Sequence, residues 1–297
     1  MIEGILIEGI IYGIMVLGVF ITFRILDFPD LTVDGTFPLG AALMAVFIIN
    51  GYNLVLAIII SFIGGFLAGM ITAIIHNKLK VPQLLAGIIT MIMLYSINIR
   101  ILGSSNVQLL KVDTIFTKII NAFSGILSSE HAQLLFIIII VILLKIAIDT
   151  FFRTDLGLTL GALGNNPQMV ISQGVNPEWL KIIGVGLSNG LVAISGAFAA
   201  QYFKFADVGL GQGIIIAGLT SVMIGEFLIR SNRISFLTLR VLLGSIIFRG
   251  IMFLGRFYGF YVGMESTDLK LVTGLLIIVC LIITKIKKPT KKKREYP

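Results

Sequence analysis

The sequence predicts an all-α polytopic membrane protein with about nine transmembrane helices, or about eight to ten if one element is re-entrant. Of the 297 residues, 57% are hydrophobic and only 13% are charged, whereas roughly 25% of an ordinary globular domain is charged. The mean hydropathy is +1.03. Long apolar runs recur along the chain, and a helix needs about 20 mostly apolar residues to cross a bilayer. We therefore expect a single transmembrane domain over residues 1–297.

The apolar runs follow one another with polar connections between them. They cover 5–21, 37–49, 54–75, 81–97, 134–148, 182–202, 211–229, 236–254 and 271–286, of which the second and fifth are short. The first run lacks a basic n-region and a small-residue cleavage site, so we interpret it as a span rather than a cleaved signal peptide. Small residues within 64–69 and 186–197 allow close packing between helices.

The basic residues indicate the orientation. The tail at 285–297 is rich in Lys and Arg and directly follows the last apolar run. Because cytoplasmic segments carry the excess of basic residues, we expect a cytoplasmic C-terminus held on anionic lipid, and an N-terminus on the outer side. Most of the 23 Lys and Arg residues then lie inside. The net charge of +8 therefore reflects orientation, and we expect no nucleic-acid partner.

The residue inventory excludes several kinds of chemistry. Cys280 is the one cysteine, and the two histidines, His76 and His131, are far apart. An intrachain disulfide is therefore impossible, and we expect no metal site. The sequence has no Walker A, dinucleotide-binding, zinc-protease or nucleophile-elbow motif. The energy must come from a gradient or a partner chain, which leaves a channel, a secondary transporter, a membrane enzyme or a permease subunit.

A first polar stretch at 27–38 separates two apolar runs. It contains Asp27, Asp30 and Asp34 together with Pro29 and Pro38. We expect both prolines to break helices. The stretch is either a capped cytoplasmic turn or a broken helix that lines a polar cavity, because irregular backbone at membrane depth must be buried in protein or face water. Acid–base catalysis by the carboxylates is disfavoured, since no nucleophile or metal ligand is nearby.

A second polar stretch, at 153–180, is the longest predicted inner loop. Asn166 before Pro167 is typical of a helix N-cap followed by proline at the first helical position. We expect a short helix at 167–173 that Gly174 terminates, and Asn176 before Pro177 to cap the next span. The apolar residues 169–171 must dock on lipid, on the chain's own spans or on a partner.

Other polar groups lie within or beside the spans. The stretch 201–213 contains three alternating glycines, which favour a turn with close backbone contacts, either on the outer side or dipping into the membrane. Glu8 lies in the first run, and an intramembrane carboxylate is a candidate functional group. Glu226 precedes Arg230 by four residues, a spacing that predicts an intrahelical ion pair.

Four blocks of the sequence resemble a known family. The chain is similar over nearly its whole length to the transmembrane subunits of ABC importers of the branched-chain amino acid, ribose and autoinducer permease class. Within that class it looks nearest to the bacterial branch linked to tryptophan- or tyrosine-type binding lipoproteins. The blocks are Asp30-Leu31-Thr32-Val33-Asp34-Gly35, the segment 164–176, the segment 187–197 and the segment 205–213.

The resemblance implies a type II ABC importer-like permease in a bacterial cell membrane. It implies a homodimer, two cytoplasmic ABC ATPases that carry the ATP and Mg, and an extracytoplasmic substrate-binding lipoprotein, with no cofactor on this chain. The coupling residues would be Gly164, Asn165, Asn166, Pro167, Gln168, Met169, Gly174, Val175 and Asn176. Gly161-Ala162 stands where the family usually has Arg-Ala, which removes the basis for an ion pair to the ATPase but leaves the helix.

The same resemblance implies a path for a small polar solute, in particular an amino acid, and the branch that it points to implies an aromatic one. The residues expected to line it are polar and belong to the blocks above or flank them: Asp30, Thr32, Asp34, Thr36, Asn189, Gln201, Asp207 and Gln212. The alternative is a gradient-driven secondary transporter or channel that uses Glu8, Asp30 or Glu226 as an ion site. The helix at 161–178 discriminates between them, because such a transporter has no evident need for a docking helix.

Overall fold

The computed structural model describes residues 2–123, 128–229 and 233–261, and beyond these residues 268, 271–275, 278, 279 and 282. The basic tail at 285–297 and much of the predicted ninth span at 271–286 lie outside the described residues. The helices in the described part are α1 (Ile2–Phe20), α2 (Val33–Ile49), α3 (Leu54–Leu79), α4 (Gln83–Leu102), α5 (Ile115–Phe123), α6 (Ser129–Phe151), α7 (Asp155–Asn165), α8 (Pro167–Ser172), α9 (Pro177–Phe203), α10 (Ile214–Leu228) and α11 (Ile234–Tyr261). Two short strands are β1 (Asn106–Gln108) and β2 (Phe205–Asp207).

The helices confirm the predicted fold class, an all-α membrane protein with several spans. Seven stretches in the described part of the chain are long and apolar enough to cross a bilayer, and they contain α1, α3, α4, α6, α9, α10 and α11. The shorter apolar helix α2 has 17 residues. These eight correspond to the first eight predicted runs. The fifth run, at 134–148, is part of a longer helix than predicted, because α6 begins with polar residues and covers 23 positions. The helices α5 and α7 were not predicted as separate elements.

The prediction that Pro38 breaks a helix is wrong, because Pro38 lies inside α2. A proline has no N–H to bond the carbonyl four residues earlier, which here belongs to Asp34. The backbone of Gly211 packs against that carbonyl oxygen so closely that a Cβ on Gly211 would overlap it. The helix therefore continues through Pro38, and another segment packs closely at the point where a helical hydrogen bond is missing.

The bundle has two distinct ends. At one end, which we call the α8 end, Asn77 of α3 donates to the carbonyl of Glu178 at the start of α9 (3.1 Å). At the opposite end, which we call the strand end, β1 pairs antiparallel with β2, with Val107 opposite Ala206. Helix α9 runs from the first end to the second. The N-terminus of α1 also lies at the strand end, where Glu3 contacts His131 of α6 (3.1 Å).

Helix α9 is the centre of the bundle. Its most apolar stretch is 83% buried, against 22–28% for the corresponding stretches of α3, α4 and α6. Glycines on the neighbouring helices allow the close approach: a Cβ on Gly40 of α2 or Gly65 of α3 would overlap the carbonyls of Ala193 or Asn189. Such close backbone contacts replace the hydrophobic driving force that is missing between helices in lipid. Polar side chains on α9 are therefore held in fixed positions inside the bundle.

Candidate translocation and coupling sites

The stretch between α1 and α2 is a break in the helical structure that is packed inside the bundle. Helix α1 ends in a π-helical turn at Ile21–Ile25, and the chain then runs without regular structure to the start of α2. Asp27 is exposed, but Phe28, Asp30 and Thr32 are 0–2% exposed. Of the two interpretations of this stretch, the geometry therefore favours irregular backbone buried in protein over an exposed turn.

Asp30 lies at the centre of a buried hydrogen-bond network. Its Oδ2 accepts from Nδ2 of Asn189 (2.6 Å), and its Oδ1 accepts from the backbone N–H of Thr32 (2.9 Å). The hydroxyl of Thr36 donates to Oδ1 of Asn189 (2.8 Å), and the hydroxyls of Thr32 and Thr72 are 2.7 Å apart. The network joins α2, α3 and α9, and its bond between Asp30 and Asn189 connects positions 159 residues apart in sequence. Because buried polar groups are costly unless paired, it stabilises one arrangement of these helices.

Asp34, four residues further on, has different surroundings. Its Oδ2 accepts from the backbone N–H of Gly213 and its Oδ1 from that of Ile215, both at 2.9 Å. These N–H groups lie at the start of α10, where a helix leaves donors without intrahelical partners. Asp34 therefore caps α10 from a distant part of the chain, and the negative charge is favourable at a helix N-terminus.

A cavity of about 390 Å³ opens beside Asp34. Its walls come from the start of α2, the outward face of α4 and the turn before α10. Asp34 and Gln212, two of the predicted path residues, both line it. The apolar part of the wall includes Met91, Ile92 and Val208. A cavity of this size with few polar groups is typical of a small-molecule site.

Gln201 and Asp207 lie apart from both sites, at the strand end. The buried Gln201 accepts at Oε1 from the backbone N–H of Ile115 (2.9 Å). Asp207 accepts from Nδ2 of Asn106 (2.9 Å) and from the backbone N–H of Gly209 (2.6 Å). Both side chains hold local structure together. The predicted path residues thus fall into three groups: the network of Asp30, Thr32, Thr36 and Asn189; Asp34 and Gln212 at the cavity; and Gln201 and Asp207 at the strand end.

The predicted coupling segment forms a helix at the α8 end. Asn166 caps α8 by accepting from the backbone N–H of Met169 (3.2 Å), and Asn176 caps α9 by accepting from that of Glu178 (2.9 Å). Gly174 adopts φ +78° between the two helices, a conformation that suits glycine. The backbone of Gly164, at the end of α7, packs against the carbonyl of Ile25 so tightly that a Cβ would overlap it. The region is therefore a compact helix joined to both α1 and α9.

Helix α8 presents an apolar surface to the outside of the chain. Val170 is buried at 1%, which fixes the helix to the bundle, whereas Met169 and Ile171 are 50% and 48% exposed. Asn165, Asn166, Pro167, Gln168, Gly174, Val175 and Asn176 are exposed as well, while Gly164 is half-buried. The predicted coupling residues other than Gly164 are therefore all accessible at the α8 end.

The carboxylates considered for the alternative function are paired. Glu226 contacts Arg24 (2.8 Å) and Arg240 (3.3 Å), which ties α10 to the end of α1 and to α11. The predicted partner Arg230 lies outside the described residues. Glu8 lies 3.9 Å from Arg249, whose guanidinium also stacks over the ring of Tyr12 at 3.3 Å.

Two polar residues of the sites were not singled out from the sequence. Thr72 completes the Asp30 network, and Asn98 lines the cavity while its Nδ2 donates to the carbonyl of Gly35 (3.0 Å). Asn98 could have been found, because an amide within an apolar span must bond another part of the protein. Thr72 gives a weaker signal, since its hydroxyl also bonds its own helix at Ala68.

A polytopic bundle with a buried polar break and a cavity beside it is the architecture expected of a membrane transport permease. The family described as branched-chain amino acid transport system / permease component matches residues 1–282. The chain belongs to this family. That membership agrees with the expectation that it is not an enzyme.

Curated relatives support the same assignment. A tyrosine transport system permease protein of Clostridioides difficile is 37% identical over 97% of this chain and 93% of its own. An uncharacterised protein of Rickettsia prowazekii is 32% identical over 90% of this chain and 91% of its own. An autoinducer 2 import system permease protein of Salmonella typhimurium is 25% identical over 66% of this chain and 54% of its own. No solved structure matched the chain.

Proposed function

We propose that this chain is the membrane subunit of an ATP-driven importer of an amino acid. Two copies form the permease, and each docks one cytoplasmic ABC ATPase that binds ATP and Mg. An extracytoplasmic binding lipoprotein delivers the substrate at the strand end. The α8 end faces the cytoplasm in a bacterial cell membrane, which places Arg24, Lys78 and Lys181 on the side that favours basic residues.

The observation that carries the proposal is the exposed apolar surface of α8. Met169 and Ile171 are half-exposed on a six-residue helix whose Val170 is anchored in the bundle. A helix this short is stabilised mainly by its tertiary contacts rather than by its own hydrogen bonds. Large apolar side chains beyond the membrane spans are typical of a surface that docks a partner.

The connections of α8 explain how a partner could drive the permease. Residues 173–176 link α8 directly to α9, the most buried helix of the bundle. On its other side, α7 packs through Gly164 against Ile25 at the end of α1. A displacement of α8 by the ATPase would therefore act on α1 and α9 together, and both helices contact the polar break at 26–32.

The substrate class rests on the relatives. The Clostridioides difficile protein, similar over nearly its whole length, is named for tyrosine transport. We therefore propose an aromatic amino acid, with tyrosine as the first compound to test.

Copurification with a candidate ABC ATPase tests the docking. We expect the Met169→Ser, Ile171→Ser double variant to lose most of the bound ATPase, because it removes the apolar side chains of the docking surface. The matched control is Leu156→Ser, Leu158→Ser on α7, whose side chains are 53% and 56% exposed at the same end. Equal retention of the ATPase by both double variants would overturn the role of α8. Uptake driven by an ion gradient without an ATPase would overturn the importer.

A further inference from the structure

Asn98, which lines the cavity beside Asp34, carries an acceptor that the described residues leave unused. Oδ1 of Asn98 is buried and accepts no hydrogen bond from the described residues. The orientation of this amide is fixed, because Nδ2 donates to the carbonyl of Gly35 (3.0 Å), and a carbonyl can only accept. The unused atom is therefore the oxygen. A buried polar group without a partner costs free energy, so its presence in a cavity wall points to a ligand that donates to it.

Asp34 adds a second acceptor to the same wall. Each of its carboxylate oxygens accepts one backbone N–H, from Gly213 and from Ile215. A carboxylate offers about four lone-pair sites, so each oxygen can accept another donor. Among the described residues that line the cavity, Asp34 carries the only charge. The wall therefore favours a cationic donor over an anionic group.

The rest of the cavity is apolar and of limited size. Met91, Ile92, Val208 and the ring of Tyr95 form walls on which an aromatic or aliphatic group can pack. The volume of about 390 Å³ lies in the range of roughly 300–1,000 Å³ for small-molecule sites. It suits one molecule with a protonated amine and one apolar side chain.

We infer that this cavity is an ammonium-binding subsite of the translocation path, in which Asn98 Oδ1 and the Asp34 carboxylate receive the α-ammonium group of the transported amino acid. The inference rests on the proposed import function and adds to it a named position for the substrate. It assigns Asn98 a binding role. It also separates Asp34, which lines the cavity, from Asp30, which does not.

Binding to the complex of this chain and its ATPase in nanodiscs, measured by saturation-transfer NMR, tests the subsite without the binding protein. The probes are L-tyrosine, tyramine, which keeps the amine, and 3-(4-hydroxyphenyl)propionate, which lacks it. We expect signals from tyrosine and tyramine and a much weaker signal from the propionate. Equal signals from all three probes, or none from the two amines, would overturn the subsite.

The variant Asn98→Leu removes the acceptor, and we expect it to weaken tyrosine and tyramine binding by at least about tenfold, the scale of a lost hydrogen bond to a charged group. The matched control is Thr90→Val, a buried polar residue on the same helix that bonds only Ala86 in its own helix. Unchanged binding to a folded Asn98→Leu complex would overturn the inference. ATP-driven tyrosine uptake by the wild-type importer, measured in parallel, shows whether the proposed function stands when the subsite fails.

Discussion

Asp30 and Asp34 are one helical turn apart in sequence but lie in different kinds of environment. Asp30 is 2% exposed, and its two oxygens bond Asn189 and the backbone of Thr32. Asp34 bonds the first N–H groups of α10 and faces a cavity. The first carboxylate holds three helices together inside the bundle, whereas the second lines a cavity. The hydrogen-bond partners and surroundings of an acidic residue in a membrane protein therefore indicate its role better than its depth in the membrane does.

The largest effect that separates the two residues is expected from Asp30→Ala. The change leaves the backbone N–H of Thr32 without its partner, removes one of the two acceptors of Asn189 Nδ2 and opens a cavity in the core. We expect the chain to lose about 3 kcal/mol of stability, because the lost bonds are buried and involve a carboxylate. Thermal unfolding of the detergent-purified chain measures the loss. A melting curve like that of the wild type would show that the network is dispensable.

A smaller loss of stability is expected from Asp34→Ala, since a helix cap contributes about 1 kcal/mol. Uptake of tyrosine should fall by much more than this stability loss explains, because the cavity loses its charged acceptor. Thermal unfolding and proteoliposome uptake of the same preparation make the comparison. If uptake follows stability in both alanine variants, the two carboxylates have the same role and the distinction fails.

The smallest combined effect on stability and uptake is expected from Thr72→Val, which removes a hydroxyl at the edge of the Asp30 network. The valine has nearly the shape of threonine but cannot form the hydrogen bond that joins the hydroxyls of Thr72 and Thr32 (2.7 Å). We expect a loss of about 1 kcal/mol and uptake close to that of the wild type. A loss of uptake without a loss of stability would place Thr72 on the path, contrary to its position away from the described cavities.

The local parts of this architecture are predictable from the sequence. The apolar runs locate eight helices, and Asn166, Pro167 and Gly174 predict both ends of α8, because caps and glycine terminators act within a few residues. The polar stretch at 27–38 is recognisable as unusual. Its position inside the bundle is not predictable, because Asp30 bonds Asn189, which lies 159 positions away in sequence. A periodic pattern contains no information on such pairings.

Long-range contacts also account for what the sequence pattern did not predict. Pro38 lies inside α2, and Gly211, from a distant part of the chain, packs against the carbonyl of Asp34 that the proline leaves without its helical hydrogen bond. Glu226 also reaches Arg24 and Arg240, both on other segments, which local spacing does not predict, while its predicted partner Arg230 lies outside the described residues. Gln201 and Asp207 were grouped with Asp30 as path residues because they are polar, and the structure places Gln201 in α9 and Asp207 at the end of β2, each with its own hydrogen bonds. Their role in transport is still a prediction.

The most direct test of the importer is uptake of radiolabelled tyrosine into proteoliposomes that contain this chain, its ATPase and its binding lipoprotein. ATP is enclosed with the ATPase, and a non-hydrolysable ATP analogue or an ion gradient without ATP serves as the comparison. We predict accumulation with ATP alone, and its loss in the Met169→Ser, Ile171→Ser variant. Accumulation of tyrosine that depends on the ion gradient and is the same with and without ATP would contradict the account.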